Sequence, residues 1–252
     1  MAIARSLTPT PRGRRYGLVG LTVGIAATLG GCATTPSLKT PTRHIAPYAA
    51  VLAVAPLANE SGVTIDPRTR AEVSDDLIAA VNGVEGWAAV PLDRTLAAMA
   101  GLGMAEVRSE TDARQLIATI GVDGILVGTI TQWNPYDPPR FGANVLLIGD
   151  DTRLRTSVDP QALYGRTGDA DAASPSGTVR SVTDLVVDLD AVDHGTRQRL
   201  RDYADARIDV TGGFDPPERY YLMVFHRYLR FAADQVVGGL VERERRRTSS
   251  GG

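Results

Sequence analysis

Residues 49–62 read AAVLAVAPLANESG. From Ala49 to Leu57 the run is almost continuously apolar, and Asn59-Glu60-Ser61-Gly62 closes it with turn residues. That length and that ending predict a buried strand. Asp66-Pro67 then opens a helix, with Asp66 as N-cap and Pro67 in the first helical position. Val73, Leu77, Ala80, Val81 and Val84 fall on one face of it, and Gly83 or Gly86 ends it. Trp87 to Leu92 reads as a second short strand. Asp93 is expected to cap a small helix through Met99, broken by Gly101 and Gly103. Ser109 and Asp112 stand three apart ahead of Leu116, Ile117 and Ile120, a capping-box pattern, and Gly121 ends that helix. Asp123 to Trp133 is a strand, and Phe141 to Ile148 is its expected partner across a proline-rich loop. The order β-α-β-α-α-β-β predicts an α/β fold, a mixed sheet with flanking helices.

The second half is less regular. Residues 159–183 are rich in Gly, Ser, Asp, Ala and Pro and read as a mobile insertion. Asp184 to Asp190 alternates like a strand. Val192 to Ile208 is a charged helix with Leu200, Tyr203, Ala204 and Arg207 at helical spacing. Glu218 to Arg243 is the longest helix, with Leu222, Phe225, Leu229, Ala233, Val236 and Leu240 on one face. The α/β domain is expected over 49–245, ending in this long helix, with residues 246–252 as a disordered tail. No internal period recurs.

The N-terminal segment has a different character. No acidic residue precedes Glu60, and Arg5, Arg12, Arg14 and Arg15 make the start positive. Leu18 to Leu29 then runs without a charge, too short at 12 residues to span a bilayer as a helix. Residues 1–31 therefore read as a secretory signal peptide. Arg14-Arg15 could be the pair of a twin-arginine signal, but Gly17 spoils the apolar pair that such a signal wants. Leu29-Gly30-Gly31-Cys32 resembles the bacterial lipobox. That resemblance implies cleavage before Cys32 and acylation of its sulfur and new amino group. Cys32 is the only cysteine, so the chain holds no internal disulfide. Ala33 follows it, where an aspartate would mark inner-membrane retention in that family. The expectation is an outer-membrane lipoprotein facing the periplasm. Residues 32–48, with Pro36, Pro41 and Pro47, read as the lipidated residue and a flexible tether.

Composition narrows the function. The hydrophobic fraction is 43%, the charged fraction 22% and the formal net charge −2. Arginine supplies 26 of the 27 basic residues, scattered among acids, which fits codon bias better than phosphate recognition. Nucleic acid is not an expected partner. Loss of residues 1–31 removes four arginines and leaves 23 basic against 29 acidic residues, a formal −6. Such a chain has no reason to lie flat on anionic lipid and should stand off on its tether.

Two stretches carry a family resemblance. VLAVAPLANESG (51–62) resembles the first strand and turn of the Tol translocation protein's amino-terminal domain and the start of the curli-secretion lipoprotein domain. GVDGILVGTIT (121–131) resembles a helix-to-strand junction later in those domains. Penicillin-binding-protein activator lipoproteins share the architecture. The resemblance covers roughly residues 49–133. It implies an envelope lipoprotein whose α/β domain binds other proteins, and it carries no catalytic residues.

Motifs for chemistry are sparse. His44, His194 and His226 stand in no HExxH helix, and there is no phosphate loop, GxGxxG or GxSxG. Asp188, Asp190, Asp193 and His194 form an acidic cluster, but a calcium loop would want Gly at its sixth position and Glu at its twelfth, where Asp193 and Arg199 stand. No cofactor, metal or enzymatic activity is expected. Trp133-Asn134-Pro135-Tyr136-Asp137-Pro138-Pro139 remains open between a stiffened hairpin turn and a contact rim made by Trp133, Tyr136 and Asp137. The leading expectation is a protein-binding module on an envelope complex. The alternative is a subunit of an oligomeric pore resembling the curli secretion channel.

Overall fold

A computed structural model describes residues 43–149, 180–207, 214 and 216–250. The expected signal peptide, Cys32, the tether through residue 42, and residues 159–179 of the expected insertion lie outside the described residues. The elements run β1 (Ile45–Val54), β2 (Ala58–Asn59), α1 (Pro67–Asn82), β3 (Glu85–Ala89), α2 (Leu92–Gly101), α3 (Glu110–Ile120), β4 (Gly124–Asn134), β5 (Arg140–Gly149), β6 (Arg180–Asp190), α4 (His194–Asp205), α5 (Glu218–Met223) and α6 (Phe225–Ser250). The sheet order is β3-β1-β4-β5-β6, with β2 pairing on β4 beyond the end of β1. β1 is parallel to β3 and β4, whereas β5 is antiparallel to both of its neighbours, β4 and β6. The α/β class, the mixed sheet, the flanking helices and the long C-terminal helix are all as the sequence predicts.

The central strand explains the layers. Alternate residues of β1 point to opposite faces. Ala50, Leu52 and Val54 join the larger core, with α1, α4, α5 and α6 above them. Ala53 and Ala55 join the smaller core, with Val90, Met99, Leu116 and Ile120 from the α2–α3 side. A strand covered on both faces needs apolar residues at every position, which is why 49–57 reads as a continuous run. β6 is covered on one face only, so Leu185 and Leu189 are buried while Asp184, Val186 and Asp188 are exposed.

Local signals are realised as hydrogen bonds. Asp66 accepts from the Thr69 amide at 3.0 Å, and Ser109 and Asp112 complete the capping box of α3. Gly121 ends α3 with φ of 75°, a left-handed conformation that glycine adopts without steric cost.

Several boundaries differ from expectation: the strand expected over Trp87–Leu92 is Glu85–Ala89, and the helix expected over Val192–Ile208 is His194–Asp205. Pairing of Ile45 with Glu85 extends β1 into the expected tether. α2 starts at Leu92 behind Pro91, so Asp93 lies in its first turn and does not cap it. β6 begins at Arg180, inside the expected insertion, because β5 is long enough to pair with it up to Gly149. The predicted long helix is broken at Val224, which has extended backbone, and its second piece continues to Ser250 in place of a tail from 246. Buried Glu244 holds that last stretch: it accepts hydrogen bonds from the Tyr48 and Thr183 hydroxyls and pairs with Arg247 at 2.8 Å.

The topology gives the domain two poles. β1 and β4 run parallel, so Ile45 lies at one end and the β4–β5 turn at the other. Leu52 pairs with Gly124, and Ile45 and the β4–β5 turn lie in opposite directions from that pair. α6 runs the opposite way. Its Phe225 ring meets Trp133 near the turn, and its Arg245 holds the Ile45 carbonyl at 2.6 Å.

Candidate partner-binding site

The turn pole is built from three segments. The first is the β4–β5 connection, residues 135–139. Asn134 frames it: its side-chain oxygen accepts from the Tyr136 amide at 3.2 Å, and its side-chain nitrogen donates to the Pro138 carbonyl at 3.1 Å. Asp137-Pro138 is a cis peptide bond. The second segment is the turn after β6, where the Ala191 amide donates to the Pro139 carbonyl at 3.0 Å and ties the two turns side by side. The third is the α5–α6 break at Val224.

Trp133 supports all three. It is half-buried and stands edge-on to Phe225 at 4.8 Å and to Phe141 at 6.3 Å. Phe225 stacks on Tyr228, whose hydroxyl donates to the buried Leu189 carbonyl at 2.9 Å. Burial raises the Tyr228 phenol well above its ordinary range, so it stays a neutral donor. Tyr136, by contrast, is 77% exposed, and Asp137 is exposed as well. Trp133 thus faces the core and Tyr136 faces outward. The sequence left both open as rim residues, and Trp133 is drawn inward by its packing on Phe225 and Phe141. The sequence also missed two neighbours. Val192 is 69% exposed and Met223 63% exposed, large apolar side chains left in water at the same pole. Neither carried a signal: Val192 was read as part of a helix that starts only at His194, and Met223 as the interior of a helix that breaks just after it, at Val224.

Charge surrounds these residues. Arg140 pairs with Asp188 at 3.0 Å and with Asp190 at 3.6 Å. Asp193 caps α4 by accepting from the Thr196 amide at 2.7 Å. Hydrogen bonds from the Thr196 backbone and hydroxyl hold the Asp193 carboxyl below its ordinary range. The Asp188–Asp190–Asp193–His194 cluster is therefore occupied by a guanidinium and a helix terminus. Among the described residues, no group of three His, Cys, Asp or Glu is placed to hold a metal ion.

Other polar clusters are structural. Asp76 is buried between His226 and Arg230, at 3.8 and 3.3 Å. An open polar cleft of about 370 Å³ lies at the carboxyl ends of β1 and β2, lined by Asn59, Gly62, Thr64, Arg70 and Glu106 among others. Ser61 is held in the adjoining turn, where its hydroxyl donates to Asn59 Oδ1 at 2.7 Å. No described helix is long and apolar enough to cross a membrane.

No family model matches the chain, and no curated relative does. Its fold overlaps with solved structures at low identity. The C-terminal domain of LpoB from Salmonella enterica is 10% identical, with a TM-score of 0.37 over 57% of this chain and 84% of that one. Lipoprotein GNA1162 from Neisseria meningitidis is 16% identical, with a TM-score of 0.35 over 56% of this chain and 80% of that one. The hypothetical protein CT253 from Chlamydia trachomatis is 13% identical, with a TM-score of 0.37 over 77% of this chain and 98% of that one. At these scores the overlaps carry no argument about function.

Proposed function

We propose that this chain is a membrane-anchored envelope lipoprotein, acylated on Cys32, that acts as a non-enzymatic protein-binding module through the Tyr136 pole. The observation that carries the reading is the opposition of the two poles. The segment leading to Cys32 enters at Ile45, where Arg245 holds the chain to α6. Tyr136, Val192 and Met223 stand exposed at the other end. A tether at one pole would turn that rim towards the periplasm, clear of the bilayer, with the outer membrane as the expected anchor. Exposed aromatic side chains on a rigid base are the type that anchor protein interfaces.

The pore reading gains no support. It would need β4 and β5 to face lipid, and Leu126, Ile130, Val145 and Leu147 are buried in the core beneath α6. The test is affinity purification of the full chain from native membranes, comparing Tyr136→Ala with the unaltered protein. The reading expects one envelope protein to co-purify and to be lost from the variant at an unchanged melting temperature. Retention of that protein by the variant would remove Tyr136 from the interface.

A further inference from the structure

We propose that the Tyr136 rim takes a protein segment in which an apolar or aromatic anchor is flanked by lysine or arginine. This rests on the protein-binding reading and adds the chemistry of the partner. The apolar half of the argument is three exposed side chains, Tyr136, Val192 and Met223, on turns at the same pole: the 139 and 191 turns are hydrogen-bonded, and Phe225, two residues after Met223, packs on Trp133. Isolated exposed apolar residues are ordinary, but several large ones at one pole give an anchor somewhere to desolvate.

The electrostatic half is a local imbalance. Asp188 and Asp190 share a single guanidinium, that of Arg140. Asp193 faces Arg199 across the first turn of α4, where Arg199 also holds the Thr196 hydroxyl at 3.0 Å. Asp137 is exposed on the loop itself and makes no hydrogen bond or ion pair among the described residues. Among the described residues, four carboxylates thus stand around the apolar centre, and the guanidiniums that pair with them are those of Arg140 and Arg199. Further off, Arg230 is occupied by Asp76, and Arg227 lies over the Tyr220 ring. A partner bearing carboxylates would meet like charge as its apolar anchor seats. One bearing lysine or arginine would be drawn to the rim and held in register.

The experiment places a photo-crosslinking p-benzoyl-phenylalanine at position 136 of the full chain in native membranes and sequences the captured peptide by mass spectrometry. The inference expects a captured segment with two or more Lys or Arg within about one helical turn of an apolar residue. It expects Asp137→Lys, at an exposed and unpaired site, to cut the yield severalfold, and Asp137→Lys with Asp188→Lys to cut it about tenfold or more. Raising NaCl from about 50 to about 500 mM should lower the yield in the unaltered protein and change it little in the double variant. A captured segment that is acidic or uncharged, or a yield indifferent to Asp137→Lys, overturns the inference and leaves the binding reading standing. No captured protein at all overturns both.

Discussion

At the scale of single residues, Trp133 and Tyr136 divide one short stretch between two tasks. Trp133 packs on Phe225 and Phe141, so Trp133→Ala should cost about 3 kcal/mol or more, as aromatic truncations in cores do. Tyr136→Ala removes a side chain that is 77% exposed and should stay within about 0.5 kcal/mol. Urea melts of the two single variants check both values. Asp76 offers a second test. Burial pushes its carboxyl above the ordinary range, and the opposing pull of His226 and Arg230 does not restore it. An acid with a raised folded pKa holds its proton more tightly folded than unfolded. Stability therefore falls as pH rises from the ordinary carboxylate range through the folded pKa, and the full cost persists above it. Asp76→Asn should match the unaltered protein near pH 4 and become the more stable of the two by pH 7. Asp66, Asp112 and Asp193 shift the opposite way, but they are common to both proteins and cancel in the difference. A difference in melting temperature that does not change with pH would contradict this account. The sequence left Tyr136 open between turn and rim, because the prolines that bracket it suit either. The burial of Asp76 was not legible, since it depends on α6 crossing α1 some 150 residues later along the chain.

At the scale of elements, the β4–β5 pair is the axis on which the turn pole is carried. Gly128 sits opposite Val145, and a Cβ built there would lie 2.3 Å from the Asn144 carbonyl oxygen and 3.0 Å from the Val145 Cα. Those are backbone atoms of a paired strand and have no free rotation to give way. Gly128→Ala should lower stability by about 2 kcal/mol or more, read by calorimetry, and should disturb the 135–139 turn beyond it. Gly128 looked like one more small residue in DGILVGTIT, because the approach of β5 is a tertiary fact. Elements with their own local signals were readable: Asp66 before Pro67, and Ser109 with Asp112, both form the caps that their spacing predicts. Elements defined by partners were not. β6 extends back to Arg180 because β5 offers it a ladder, and α6 extends to Ser250 because Tyr48 and Thr183 give Glu244 a buried set of donors.

At the scale of the molecule, the account joins an anchor, a tether and a rim. With β1 starting at Ile45 and the His44 carbonyl accepting from the Glu85 amide, at most residues 33–43 are left for the proposed tether, on the order of 35 Å if fully extended. Mass spectrometry of the mature protein should find an acylated N-terminal Cys32, and Cys32→Ser should leave a longer, unlipidated chain. An unmodified Cys32 would remove the anchor from the account and leave the rim untouched. The net charge of the mature sequence hid the arrangement of its charges, since a sum of −6 does not say that unbalanced carboxylates gather beside exposed apolar residues. The central claim is that a protein partner covers the pole opposite the tether. Hydrogen exchange on the purified native complex, compared with the isolated chain, tests it most directly. The account predicts new protection confined to residues 134–139, 190–193 and 222–224, with none at 43–46 or 243–248. Protection at the Ile45 end, with the Tyr136 turn exchanging as fast as in the free chain, would contradict it.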